Sequence, residues 1–273
     1  MENFSEYNLD FIKIPAGSFI MGSSYDVLAE ISRQMWQAGT FWESSCGSEW
    51  PQHLVNHSFP FYLATTPITL TQYALIMDRQ PPQDKKSYPM LLNWKQTMEL
   101  LEKLNLVNDL YTFRLPTEAE WEYSCKAGSD FEFIDHDDPD LIEPIRSDNV
   151  EFVASMNNGC EDSELKKVIH EVKRYPANDF GLYDMLGNVP EWCSDYFCSD
   201  YYYVSPHTDP KGPKKPDDEE KLRVVRGAPA CNEFWSSLIV YRASCRLYLS
   251  EIEKNDLAGV RLVAVSKKSE YVD

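Results

Sequence analysis

Arg114-Leu115-Pro116-Thr117-Glu118-Ala119-Glu120-Trp121-Glu122-Tyr123 is the stretch on which the reading of this chain turns. Thr117 precedes Glu120 at capping-box spacing, where a hydroxyl and a carboxylate each take an amide at the open end of a helix. The box follows Pro116 and predicts a helix through Tyr123 to about Lys126. Trp121 is expected to face inward, because large aromatics mostly lie in cores.

Working outward, residues 9–15 and 18–21 alternate around Ala16-Gly17, which predicts two short strands joined by a turn as an opening hairpin. Residues 26–37 place Val27, Leu28, Ile31 and Met35 at helical spacing, with Asp26 as N-cap. Residues 54–63 read as one strand, and helices are expected near 69–78 and 93–105. The acidic stretch 129–165 has little periodicity. Its Asp135-His136-Asp137-Asp138-Pro139-Asp140 lacks the glycine and the closing glutamate of an EF-hand loop, so it reads as solvated. Residues 205–221, rich in proline and charge, read as an exposed excursion.

The formal charge of -18 repels phosphate backbones and argues against a nucleic-acid partner. No apolar run reaches the roughly eighteen residues a bilayer span needs. Seven cysteines (46, 125, 160, 193, 198, 231 and 245) make an odd count without a Cys-x-x-Cys pair, which removes the strong zinc and thioredoxin signals. His53-x-x-x-His57 sits in a strand-like segment with no carboxylate beside it and is not read as a metal site.

Three further segments follow the first in fixed order: Gly181-Leu182-Tyr183-Asp184-Met185-Leu186-Gly187-Asn188-Val189, Arg223-Val224-Val225-Arg226-Gly227, and Gly259-Val260-Arg261-Leu262-Val263. In sequence and spacing the chain resembles the formylglycine-generating enzyme (sulfatase-modifying factor) family from about Phe11 to Val265. The resemblance implies an α+β, C-type-lectin-like fold with much irregular loop, as one domain over residues 1–273. It also implies calcium. Asp184 and Glu191 would give side-chain oxygens and Gly187 and Val189 carbonyls, the hard-donor set such a cation takes. Pro190 stands where the family usually has Trp, and the alternative is that both carboxylates only bond loop amides. Asn149-Val150 corresponds to part of a second family cation site.

The family's oxidase chemistry rests on two nearby thiolates that bind copper and exchange with a substrate cysteine. The matching stretch here, Gly227-Ala228-Pro229-Ala230-Cys231-Asn232-Glu233-Phe234-Trp235-Ser236-Ser237-Leu238, holds Cys231 and no second thiol as far as Val240. Copper is therefore not expected, since a soft metal wants two or more sulfur ligands. Cys245 is too far along the chain to replace the missing partner by design.

What stands in that place is a run of flat aromatics and small polar groups: Asn232, Glu233, Phe234, Trp235, Ser236, Ser237, Tyr241, Cys245 and Tyr248. Such a mixture suits a binding face, with rings for contact area and Ser and Asn for adaptable hydrogen bonds. Arg242-Ala243-Ser244-Cys245-Arg246 and Gly259-Val260-Arg261-Leu262 are similar to the scaffold of variable proteins diversified by retroelements, with Val260 in place of Phe. That resemblance implies a non-enzymatic ligand-binding protein with its variable surface on residues 228–250. A protein or other macromolecule would be the ligand. The chain is expected to be a monomer, exported or at the cell surface after loss of a leader, or otherwise cytoplasmic. Three alternatives stay open. One is a cysteine-dependent oxidase or other enzyme of the family using Cys231, with or without Cys245, a second is a sulfatase-modifier-like accessory protein that keeps only partner binding, and the third is a core strand in which Leu238, Ile239 and Val240 are buried.

Overall fold

The computed structural model describes residues 2–4, 7–37, 47–129, 169–217, 219–227, 242–252, 254 and 258–267. A five-stranded sheet in the order β1-β2-β5-β10-β6 forms the larger layer, from β1 (Glu2–Phe4), β2 (Leu9–Ile14), β5 (Phe61–Ala64), β10 (Val263–Ser266) and β6 (Tyr111–Arg114). A ribbon pairs β3 (Gly17–Met21) with β4 (His53–His57). A third, antiparallel sheet orders β7 (Glu191–Tyr196), β8 (Leu222–Arg226) and β9 (Leu247–Ser250). With four helices, α1 (Tyr25–Gln37), α2 (Leu70–Ile76), α3 (Trp94–Val107) and α4 (Glu118–Lys126), the described chain is α+β as expected.

The strands at 9–15 and 18–21 both form, but they are not a hairpin. β2 pairs with β1 and β5, whereas β3 leaves after Pro15 to pair with β4 in the ribbon. Phe11 and Ile14 are fully buried, which commits β2 to the main sheet. The strand expected over 54–63 is likewise split into β4 and β5 by Ser58-Phe59-Pro60, since a proline within a strand removes a ladder donor.

Three helices begin at capping boxes. Thr117 and Glu120 open α4, Thr69 and Gln72 open α2, and Asn93 and Gln96 open α3. At α1 the expected cap is displaced: Asp26 lies in the first turn, and the Val27 amide donates to Ser24 Oγ at 3.3 Å.

Two of the three apolar clusters among the described residues join the large sheet to the third sheet and the helices. One packs Leu100, Leu101 and Leu104 of α3 against Phe11, Phe113, Trp192 and Leu262. The other closes Ile14, Leu63, Val224 and Val263 around Trp121, which is 0% exposed. Trp121 is therefore the core residue its motif predicts.

Candidate binding face and its buried frame

Of the expected contact residues, Asn232, Glu233, Phe234, Trp235, Ser236, Ser237 and Tyr241 lie outside the described residues, as do Cys231 and Leu238 to Val240. The described structure gives the two ends of that segment. Both are held by charge buried in the core.

At the near end, Arg226 closes β8 with 0% exposure, and its Nη1 donates to Glu118 Oε1 at 3.1 Å. Its Nη2 donates to Glu122 Oε2, and the guanidinium also donates to the carbonyls of Ala243 and Ser244, beyond the segment. One arginine thus ties both sides of residues 228–241 to α4. Gly227 follows with φ +100°, and the Gly187 amide donates to its carbonyl at 2.7 Å. A Cβ there would stand 2.9 Å from the Met185 carbonyl oxygen and 3.0 Å from the Trp121 ring, so only glycine fits.

At the far end, the Arg242 guanidinium meets Glu49 in a fork, at 2.7 and 2.8 Å, and also reaches the hydroxyls of Ser23 and Ser244. Arg246 forks onto Glu118 at 2.7 and 2.9 Å and donates to the Ser48 carbonyl at 2.6 Å. Paired, bidentate geometry is what lets such charges stay buried, because a lone guanidinium out of water is costly. Glu118 and Glu122 are one helical turn apart on α4, so both turn inward beside Trp121. Burial alone would push the Glu122 carboxyl up, but Lys126 and Arg226 outweigh it and hold it below the usual range. Behind this frame, burial and the neighbouring Glu118 push Asp195 up to about 7.

Tyr248 is 44% exposed on β9, against the Phe197 ring. Cys245 is not a contact residue: it is 5% exposed and packs in the main core, and burial pushes its thiol up to about 12. Cys245 lies in the buried Arg242–Arg246 turn, before β9 begins, a placement that composition alone could not reveal.

The four residues expected at calcium do not fit as a set. Glu191 is fully buried, and both its oxygens are taken by the Arg261 guanidinium at 2.8 to 3.1 Å, with the Trp121 indole donating to Oε2 at 2.7 Å. A cation at this carboxylate would meet Arg261 first. Asp184 Oδ2 accepts the Lys173 amide while Oδ1 is buried with no hydrogen-bond partner, and burial raises the Asp184 carboxyl above its usual range. The Gly187 carbonyl accepts the Val189 amide at 3.0 Å. Arg261 therefore stands as the cation of Glu191.

Among the described residues no three His, Cys, Asp or Glu side chains gather as a metal group. His57 lies among Phe19, Phe61 and Tyr123, and burial lowers its pKa, so it is a neutral packing residue. A cleft of about 230 Å³ beside it is lined by Arg114, Glu120, Ser194, Asp209 and Lys211. Arg114 forks onto Glu120 at 2.6 and 2.7 Å, and Asp209 takes the Ser58 amide at 2.9 Å. No described helix is long and apolar enough to cross a membrane.

The family described as the sulfatase-modifying factor enzyme 1-like domain matches residues 2–265. A formylglycine-generating enzyme of Streptomyces coelicolor is 37% identical over 142 residues, covering 49% of this chain and 40% of that protein. The chain spans less than half the length of the curated relatives it matches. PvdO from Pseudomonas aeruginosa superposes with a TM-score of 0.67 at 20% identity, covering 96% of this chain and 97% of that one. Treponema denticola variable protein 1 gives 0.62 at 20% identity, covering 93% and 94%. At such identity these structures share the fold, which is the C-type-lectin-like fold of the formylglycine-generating enzyme type.

Proposed function

This chain belongs to the sulfatase-modifying factor enzyme 1-like domain family, and on that footing we propose that it is a non-enzymatic binding protein whose ligand meets residues 228–250. The observation that carries the proposal is the frame. Arg226 and Arg242 fasten both ends of residues 228–241 to buried glutamates, so side chains between them can change without loosening the core. A variable protein of a retroelement system is the form of this reading that its likeness to the Treponema denticola protein supports. The ligand class is a protein or other macromolecule.

The competing reading is an oxidase, favoured by the names of the curated relatives. Two thiolates are its chemical requirement. Cys231 has no second thiol close in sequence, and Cys245 is a buried thiol held protonated. Oxygen consumption measured with copper and a cysteine-containing sulfatase peptide separates the readings. No turnover is expected, and turnover abolished by Cys231→Ser would end the binding proposal.

A further inference from the structure

Near Arg242 and Arg246 the described structure exposes a row of rings. Trp50 is 39% exposed, Tyr203 59% and Tyr248 44%, with Val204 at 76% next to Tyr203. Contacts link them. The Trp50 and Tyr203 rings meet edge-on with centroids 5.3 Å apart, and Phe197 and Tyr248 meet at 4.6 Å. Between these pairs the Arg246 guanidinium lies 4.2 Å from the Tyr202 ring and 5.0 Å from Phe197. Because Arg246 is fixed by Glu118, the row is held from beneath by the same buried frame. It starts at the residue after Glu49, which anchors Arg242, and ends on β9 just past Arg246.

Two carboxylates lie beside this row. Asp217 hydrogen-bonds the Cys198 side chain and Asp200 lies close to it, between Phe197 and Tyr203 in the chain. The whole protein carries 44 acidic residues against 26 basic ones. The same sheet already shows what such a surface accepts. Arg223 lies 3.4 Å from the Tyr196 ring centroid and 4.3 Å from that of Trp94, while its Nε donates to Glu251 at 2.9 Å. A cation there is met by two ring faces and a carboxylate, each of which favours it.

We propose that Trp50, Tyr203 and Tyr248, with Asp200 and Asp217, form a fixed docking rim for a basic polypeptide segment of the ligand. Its Lys or Arg side chains stack on the rings and pair with the carboxylates. The inference rests on the binding reading above and names its partner class. Rings alone would also suit a neutral sugar, but the carboxylates and the net charge draw a cation instead.

The test uses the full chain and a fluorescein-labelled nona-arginine peptide, followed by anisotropy near physiological salt. Trp50→Ala/Tyr203→Ala leaves the net charge unchanged and is expected to weaken binding about tenfold or more, as loss of exposed anchors does. Asp200→Asn/Asp217→Asn should weaken it about fivefold, whereas Glu99→Gln/Glu102→Gln, the same charge change on α3, should alter it less than about twofold. Circular dichroism melts check that each variant folds. Equal weakening by both acidic pairs would mean diffuse attraction and overturn the rim, as would unchanged binding in the ring variant. Saturable binding of a neutral hexasaccharide, lost in the ring variant, would assign the rim to sugar and also overturn the proposal. Trp235→Ala separates the two levels. Loss of peptide binding there with the rim variants intact leaves the segment reading standing and removes the rim, while loss in the rim variants sustains the rim whatever Trp235→Ala does.

Discussion

Replacing Arg242 by methionine removes the guanidinium that holds the far end of the binding segment and leaves Glu49, 1% exposed, with a buried carboxylate and only the Ser23 hydroxyl among its side-chain partners in this frame. An uncompensated buried charge of this kind costs about 3–5 kcal/mol. In a chain of this size that is a fall in Tm of roughly 10 °C. Glu49→Leu alone strands Arg242 in the same way and should cost a similar amount. The double variant Arg242→Met/Glu49→Leu strands neither charge, because hydrophobic residues of similar volume replace a desolvated pair at little net cost. It should recover to within about 1–2 kcal/mol of the parent, giving a coupling energy of several kcal/mol. Urea melts followed by far-ultraviolet circular dichroism read all four proteins. The frame argument fails if either single change costs less than about 1 kcal/mol, or if the two losses simply add in the double variant.

Two further outcomes follow from the same core. Asp195, raised to about 7 when folded, keeps its proton over a range in which the unfolded chain has lost it. Its contribution to stability is therefore full below about pH 4 and declines as pH rises to 7, by up to ~1.4 kcal/mol per pH unit. Asp195→Asn should remove this decline and be the more stable protein at pH 8, and denaturant melts between pH 4 and 8 showing an unchanged slope would refute the assignment. Trp121→Ala should lower stability by roughly 3–5 kcal/mol, as for a buried Trp whose indole also donates to Glu191, while Trp235→Ala leaves it nearly unchanged. Equal losses in thermal melts would put Trp235 in the core.

Much of the local structure was legible because its causes are local. Thr117-x-x-Glu120 marked the start of α4 from residues three apart, and the size and aromatic character of Trp121 marked it as core. The strands at 9–15 and 18–21 showed in their alternation, but alternation names no partner, so the hairpin inferred between them does not form. Beyond their spacing, nothing local in the sequence marks Glu118 and Glu122 as buried. Their i, i+4 spacing on the face of Trp121 was the one available hint that both turn inward.

The sequence by itself determined the family pattern, the start of α4 and the missing second thiol near Cys231, since each is written in neighbouring residues. Tertiary structure alone decided which charges meet. Arg242 finds Glu49 across 193 positions, Arg246 finds Glu118 across 128 and Arg261 finds Glu191 across 70. It also turned Cys245 inward and paired Glu191 with the Arg261 guanidinium. The physical reason is that a buried charge is tolerable only beside its counter-ion, and that partner is chosen by how the layers pack, at separations over which no local pattern carries information.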